Sequence, residues 1–184
     1  PMSNLQGQTK SRRQRSSPLQ GSDPVSESTL GQPPYRLTDY PMHYFAAIQR
    51  QNQLNFARAL REFGVSVPMW RALSALHQKD GQTIGEIAQL AVLDRSSLGR
   101  LLDEMAKAKL VEREPLPDDR RALAIRLSEH GRKTFEATLP LAQRHYRNVL
   151  KGVDAQEFET LMRVLRRIKA NTLMMADVAD LEAE

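Results

Sequence analysis

The chain has 184 residues, the usual size of one domain, although two small domains are possible. It carries 27 lysines and arginines against 22 aspartates and glutamates, a net charge of +5, so nucleic acid is a candidate partner. The absence of cysteine excludes disulfides, thiolate metal sites, a cysteine nucleophile and thiol-based redox sensing. No apolar run is long enough for a membrane helix and no secretory signal is visible, so we expect a cytoplasmic protein.

Residues 1–34 are rich in serine, glutamine, glycine and proline, and their few large apolar side chains are isolated. Such a segment cannot bury enough apolar surface to offset the entropy lost on ordering, so we predict a disordered tail. A basic arm that follows a DNA groove is the alternative interpretation. Apolar residues become periodic from about residue 35, and we predict a single domain over 35–184.

Helical spacing of apolar residues predicts a long first helix over 38–63, ended by Gly64. Ser66 caps a second helix that carries a proline in its first turn and ends near Asp80. Two short helices then follow, joined by the tight connection 92–94. Their starts are predicted by a capping box between Thr83 and Glu86 and by the cap Asp94.

These two short helices, over about 83–109, are typical of a helix-turn-helix. The period then changes to two, which predicts a hairpin over about 110–128 with a charged, turn-rich tip. Two more helices lie within 128–179. They begin at the cap Ser128 and at a capping box between Asp154 and Glu157, and Pro140 should kink the first of them. The fold class is therefore mainly α with a small β wing: a winged helix-turn-helix between long terminal helices.

This arrangement resembles the MarR family of bacterial transcriptional regulators over about 38–171. The segments that carry the resemblance are Trp70-Arg71-Ala72-Leu73, Ile84-Gly85-Glu86-Ile87-Ala88, Leu93-Asp94-Arg95-Ser96-Ser97-Leu98, Arg100-Leu101-Leu102, Leu110-Val111-Glu112-Arg113, Asp119-Arg120-Arg121-Ala122 and Leu127-Ser128-Glu129-His130-Gly131. The chain departs from the family at Lys109, where glycine is usual, so the exit of the recognition helix can differ.

The resemblance implies a homodimer built from the helices over 38–63 and 128–179. A two-fold dimer of this kind holds two recognition helices about 34 Å apart, one turn of DNA, so the predicted target is a double-stranded pseudo-palindrome. The residues expected to face the major groove are Arg95, Ser96, Ser97, Gly99 and Arg100. Arginine pairs bidentately with guanine, and serines suit phosphates or base edges. The alternative is that Arg95 forms a surface ion pair with Asp94 or Glu86.

The wing tip is expected to reach the minor groove. Arg121 is the leading contact, and the resemblance implies that Asp119 orients its guanidinium. Arg120 is a candidate for phosphate binding. The alternative interpretation of this segment is a solvated charged turn.

The resemblance also implies that a small aromatic anion controls DNA binding. The residues expected to hold it are His43, Tyr44, Arg50, Trp70 and Arg71. Aromatic walls and cationic partners suit an aromatic carboxylate or its CoA thioester. The alternative is that the aromatic residues belong to the core and that both arginines lie on the surface or in an interface.

We expect no enzymatic activity, no cofactor and no metal site. The four histidines lack metal-ligand spacing, and the chain has no Gly-rich phosphate loop. The expected function is a ligand-responsive regulator, with repression the commoner mode in the family. The alternative is a winged-helix module that binds protein instead of DNA.

Overall fold

The computed structural model describes residues 36–115 and 123–174. The chain divides into two compact units, Pro1–Tyr44 and Phe45–Glu184. In the first unit, a short 3-10 turn over Leu37–Asp39 precedes a helix that begins at Pro41. The predicted tail over 1–34 lies outside the described residues, as do the wing residues Asp119, Arg120 and Arg121.

The order of elements agrees with the predicted winged helix-turn-helix. The helices and strands are α1 (Pro41–Leu60), α2 (Val67–Gln78), β1 (Gln82–Thr83), α3 (Ile84–Ala91), α4 (Arg95–Lys107), β2 (Val111–Pro115), β3 (Leu123–Leu127), α5 (Glu129–Val149) and α6 (Ala155–Met174). The strands form an antiparallel sheet in the order β1-β3-β2. The fold class is confirmed: mainly helical, with a helix-turn-helix (α3 and α4) followed by a β wing.

The predicted helix starts are confirmed by their hydrogen bonds. The side chains of Ser66 and Asp94 accept from backbone amides three residues on, and so does that of Ser128. Thr83 and Glu86 form a complete capping box. The second predicted box is also present: the Asp154 amide donates to Glu157 and the Glu157 amide donates back. Each cap satisfies backbone donors that the first turn of a helix leaves free.

The core lies where the helix-turn-helix packs on the wing and on α5. Its large, fully buried side chains come from every layer of this arrangement: Leu60, Leu73, Leu76, Ile87, Leu98, Leu102, Met105 and Ile125. The spacing of Leu98, Leu102 and Met105 places one face of α4 in this core. The opposite face of α4 is therefore left to solvent.

One element differs from the sequence-based expectation. The two-residue strand β1 was not predicted, because its residues also form the turn and the cap that begin α3. Pro140 lies within α5, which continues through it from Glu129 to Val149. The proline is on the exposed side of the helix, where water can solvate the carbonyl that loses its partner. Over the described residues, no helix is long and apolar enough to cross a bilayer.

Candidate nucleic-acid interface and ligand pocket

The first turn of α4 is held by the side chain of Asp94. Its Oδ2 accepts hydrogen bonds from the Ser97 amide at 2.8 Å and from the Ser96 hydroxyl at 2.6 Å. These bonds lower the pKa of Asp94 from 3.8 to about 2. The carboxylate is therefore ionised at neutral pH, and it is hydrogen-bonded to the first turn of its own helix.

Two cations project from this end of the recognition helix. Arg95 and Arg100 are both exposed, and the structure gives neither of them an ion pair with any residue it describes. The alternative pairing of Arg95 with Asp94 or Glu86 is not formed. The carboxylate of Glu86 instead bonds Lys79 and the cap of α3, and these bonds lower its pKa to about 2.

The other predicted major-groove residues lie in the same first two turns of α4. Ser96 and Ser97 are exposed, and Gly99 is half-buried. A Cβ added to Gly99 would meet no atom within 4 Å. The smallness of Gly99 is therefore not required by packing within the chain, and it leaves the surface between the two arginines open.

Each helix of the helix-turn-helix is followed by a left-handed residue that is not glycine. Val92, in the turn between α3 and α4, has φ = 52°, and Lys109, just after α4, has φ = 56°. The exit of α4 keeps the hydrogen bonds of a glycine-type helix end, because Lys109 N–H donates to Ala106 and Leu110 N–H donates to Met105, both at 2.9 Å. The expected difference at Lys109 is therefore absent: the backbone keeps the turn without glycine.

Two acidic residues near the wing are paired within the chain. Asp103 on α4 accepts from Arg113 on β2 at 2.6 Å. Glu114 on β2 accepts from Arg126 on β3 at 2.7 Å. These pairs bring α4, β2 and β3 together and neutralise carboxylates that lie on the described part of the wing.

A cavity of about 510 Å³ opens between α1, α2 and α5. The residues that line it are Ile48, Gln49, Asn52, Gln53, Phe56, Val67, Trp70, Arg71, Val92, Ala142, His145, Tyr146 and Val149. Its walls are largely apolar and aromatic, with a few polar groups. This composition is typical of a small-molecule site.

The polar groups of this pocket favour an acceptor-rich anion. Arg71 is the one formally charged residue among the described lining, which holds no carboxylate. The indole Nε1 of Trp70 is the sole buried side-chain polar atom without a hydrogen-bond partner in the described parts of the chain. An unpaired buried donor costs free energy. Because this atom has almost no accessible surface, a ligand acceptor recovers that free energy only if the cavity wall opens around it.

His145 and Asn52 join two walls of the pocket. Nε2 of His145 lies 2.5 Å from Oδ1 of Asn52, and the imidazole ring stacks on Phe56 with centroids 5.1 Å apart. A carbonyl oxygen only accepts, so Nε2 is the donor in this bond. The contact ties α5 to α1 across the cavity.

The predicted effector residues are only partly brought together. Trp70 and Arg71 line the pocket, whereas Arg50 is exposed on α1 and is not among the lining residues. His43 and Tyr44 belong to the first unit, where their rings meet edge to face at 5.6 Å. Within the described residues, no group of three histidines and carboxylates could hold a metal.

Sequence reasoning did not select Asn52, His145 or Tyr146 for the pocket. A signal for the first wall was present: positions 49, 52, 53 and 56 follow the i, i+3, i+4, i+7 spacing of one helical face. Gln49, Asn52 and Gln53 therefore lie on the same face of α1 as Phe56. The part of α5 that completes the pocket gives no comparable local signal, because its approach depends on tertiary packing.

Comparison with known proteins agrees with this geometry. The sequence pattern of the MarR family matches residues 63–122. The HTH-type transcriptional repressor IacR of Pseudomonas putida is 26% identical over 149 residues, which cover 81% of this chain and 86% of IacR. A MarR-family regulator from Silicibacter pomeroyi superposes with a TM-score of 0.66 at 27% identity, covering 74% of this chain and 92% of that one.

A probable transcriptional regulator from Pseudomonas aeruginosa superposes with a TM-score of 0.60 at 29% identity, covering 72% of this chain and 99% of that one. The capped, exposed recognition helix and the adjoining wing define a winged-helix transcriptional regulator. Within that class, the chain is similar to members of the MarR family.

Proposed function

We propose that the chain is a homodimeric repressor that binds a pseudo-palindromic DNA site and is released from it by a small aromatic carboxylate or its CoA thioester. The observation that carries the proposal lies in the first two turns of α4. There Arg95 and Arg100 are exposed and have no ion-pair partner among the described residues, while Asp94 is committed to the cap.

The proposed DNA contacts follow from the N-terminal end of α4. Arginine side chains at the N-terminal end of a recognition helix are placed to reach guanine edges or phosphates in the major groove. Ser96, Ser97 and the helix amides supply neutral donors for phosphate oxygens. We assign the wing residues Asp119, Arg120 and Arg121 to the minor groove on the family resemblance alone, because they lie outside the described residues.

The homodimer is supported by the terminal helices. None of the described residues of α6 is buried within one chain, although the helix carries apolar side chains such as Leu161 and Val164 that are 40% and 43% exposed. A two-fold partner is the ordinary way to cover such a surface. Sedimentation of the purified protein should give twice the monomer mass, and Leu161→Asp should shift it toward the monomer.

The effector is supported by the pocket between α1, α2 and α5. Arg71 offers a guanidinium to a carboxylate, Trp70 offers an unpaired N–H, and Phe56 provides an aromatic wall. Release requires that the ligand prefer the DNA-incompetent conformation, because equal affinity for both states shifts nothing. Repression is the mode named for IacR, and we extend it to this chain as part of the proposal.

The first experiment measures binding to duplex sites selected from a random pool, by fluorescence anisotropy at several salt concentrations. Arg100→Ala and Arg121→Ala should each weaken specific binding by about 10- to 100-fold. The matched control is Lys107→Ala, at the opposite end of the same helix. Wild-type affinity should fall steeply with salt, with a slope of ~0.9 per phosphate neutralised. Failure to select any duplex, with the dimer intact, would contradict the DNA-binding proposal.

The second experiment titrates aromatic acids and their CoA thioesters into the protein–DNA complex. Release by at least one compound, lost in Arg71→Gln and kept in Arg50→Gln, supports the pocket as described. Release that depends on Arg50 instead would move the anion site away from the pocket lining. No release across the panel would contradict the effector class while leaving the DNA proposal standing.

A further inference from the structure

On the β1 side of the sheet, the amide of the last residue of β3 is held by a side chain, whereas on the other side Leu127 pairs with Val111 of β2. The Leu127 amide donates to Oδ1 of Asp80 at 2.9 Å. The same oxygen accepts from the Gly81 amide at 3.1 Å, and the other carboxylate oxygen lies 3.6 Å from Arg132 on α5. Asp80, which follows α2 in the chain, therefore contacts both the base of the wing and the start of α5.

The sheet register explains why an acceptor is needed there. β1 pairs with β3 at only two positions, with Gln82 opposite Ile125 and Thr83 opposite Ala124. Partners in an antiparallel pair move in opposite directions along the chain, so the position opposite Leu127 is Asp80. The strand has already ended at that point, and the carboxylate takes the place of the backbone carbonyl that a longer β1 would supply.

We propose that Asp80 is a positioning residue for DNA binding: its side chain completes the short edge strand and fixes the wing relative to the helix-turn-helix. Thr83, which pairs with β3, is also the cap of α3, so the β1–β3 contact is where the wing meets the helix-turn-helix. The β1–β3 contact consists of only two backbone pairs, and the hydrogen bond from the Leu127 amide to Asp80 extends it by a third position. The inference rests on the proposed function, because a fixed wing matters only if the wing contacts DNA.

Three variants separate the roles of the carboxylate. Asp80→Ala removes both the acceptor and the ion pair. Asp80→Asn keeps a side-chain oxygen for Leu127 but loses the charge facing Arg132, and Arg132→Gln removes the ion pair alone. The matched control is Glu129→Ala, which removes an exposed carboxylate of the same region whose one ion pair among the described residues is with Lys133 at 3.2 Å.

The first readout is hydrogen exchange of the Leu127 amide in the free dimer, followed by NMR. We expect Asp80→Ala to lose about tenfold or more of the protection at this amide, and Asp80→Asn to keep most of it. The second readout is affinity for the selected duplex across a salt series. Asp80→Ala should bind about tenfold more weakly, with a smaller salt slope, because a loosened wing neutralises fewer phosphates. The other two variants and the control should stay within about threefold of wild type.

Each contrary outcome has a distinct meaning. Unchanged protection at Leu127 in Asp80→Ala would overturn the proposed completion of the strand. Lost protection with unchanged affinity and salt slope would overturn the positioning role. An Asp80→Asn variant as weak as Asp80→Ala would assign the effect to the ion pair, against the proposal. If the wild-type protein binds no duplex, the proposed function fails, and the exchange measurement still tests the strand contact.

Discussion

The backbone carbonyl of Leu110 occupies the space that a side chain on residue 131 would need. Leu110 lies just after the recognition helix, and Gly131 is buried in the first turn of α5. Ser128 holds the two segments together: its hydroxyl donates to the Lys109 carbonyl at 2.5 Å and its amide donates to the Leu110 carbonyl at 3.2 Å. The exit of α4 is thereby seated directly on the start of α5.

Replacing Gly131 by alanine should therefore be severe. A Cβ there meets backbone atoms, which cannot rotate away as a side chain would, so we expect a loss of at least about 2 kcal/mol in the free energy of unfolding. Urea denaturation followed by circular dichroism measures it. Gly85→Ala is the control, because its nearest atoms lie 4.0 Å away in ordinary contact. Equal stability of the two variants would show that the α4–α5 contact relaxes easily.

Replacing Lys109 by glycine should increase stability, the opposite of the effect expected at Gly131. Its φ of 56° is a left-handed conformation that glycine adopts without the steric cost of a Cβ. Lys109→Gly should raise the free energy of unfolding by about 1 kcal/mol. Lys107→Gly, two residues earlier and still helical, should lower it by about 1 kcal/mol. Destabilisation by both changes would mean that the lysine side chain at 109 makes contacts that outweigh its backbone cost.

The sequence predicted the starts of the helices because each signal is local. Ser66, Thr83, Asp94 and Ser128 act within three residues of their own positions, so cap chemistry is visible without tertiary information. The exposure of Arg95 and Arg100 on α4 was predictable in the same way, because a buried face implies an opposite exposed face. The fold class and this part of the candidate interface therefore follow from residue order.

The contacts that depend on distant segments were not predictable in this way. Gln82 is 3% exposed, and its amide donates to the Ala75 carbonyl at 2.8 Å, closing the end of α2. Nothing in its local sequence distinguishes it from an exposed glutamine. The acceptor role of Asp80 spans 47 residues to Leu127, and the His145–Asn52 bond spans 93. Such pairings become visible only when the helices are packed.

Removing the side-chain amide of Gln82 measures how much its buried hydrogen bonds contribute to stability. Gln82→Leu keeps an apolar stem but removes the amide donor that the Ala75 and Lys79 carbonyls share, so we expect a loss of about 1–3 kcal/mol in the free energy of unfolding. Thermal or urea denaturation measures it. Gln89→Leu, at an exposed position on α3, is the matched control and should be near neutral. A near-neutral Gln82→Leu would indicate that water replaces the amide.

The cap at Asp94 predicts how stability responds to acid. Hydrogen bonds from Ser96 and Ser97 lower its pKa from 3.8 to about 2, so the folded state binds the proton less readily than the unfolded chain. The resulting stabilisation is present above about pH 4 and disappears as the pH falls through about 2. The difference in melting temperature between wild type and Asp94→Ala should narrow over that range. Asp94→Asn caps the helix without titrating, so its melting temperature should differ from that of Asp94→Ala by the same amount at every pH. A difference between wild type and Asp94→Ala that does not change with pH would contradict the assignment.

Trp70 gives the sharpest test of the pocket because it is the single tryptophan of the chain and lines the cavity. Its ring meets Phe56 edge to face at 5.0 Å, a contact that phenylalanine can retain. Trp70→Phe loses packing contacts of the larger ring, but it also removes an unpaired buried N–H, and the second effect offsets part of the first. The free energy of unfolding should therefore change by less than about 1.5 kcal/mol. An effector that accepts from this N–H should bind about tenfold more weakly to Trp70→Phe by calorimetry, and should alter the tryptophan fluorescence of the wild type. Unchanged affinity in the variant would mean that the ligand leaves the indole N–H unpaired, and the proposed acceptor group would be wrong even if Arg71 still holds the carboxylate.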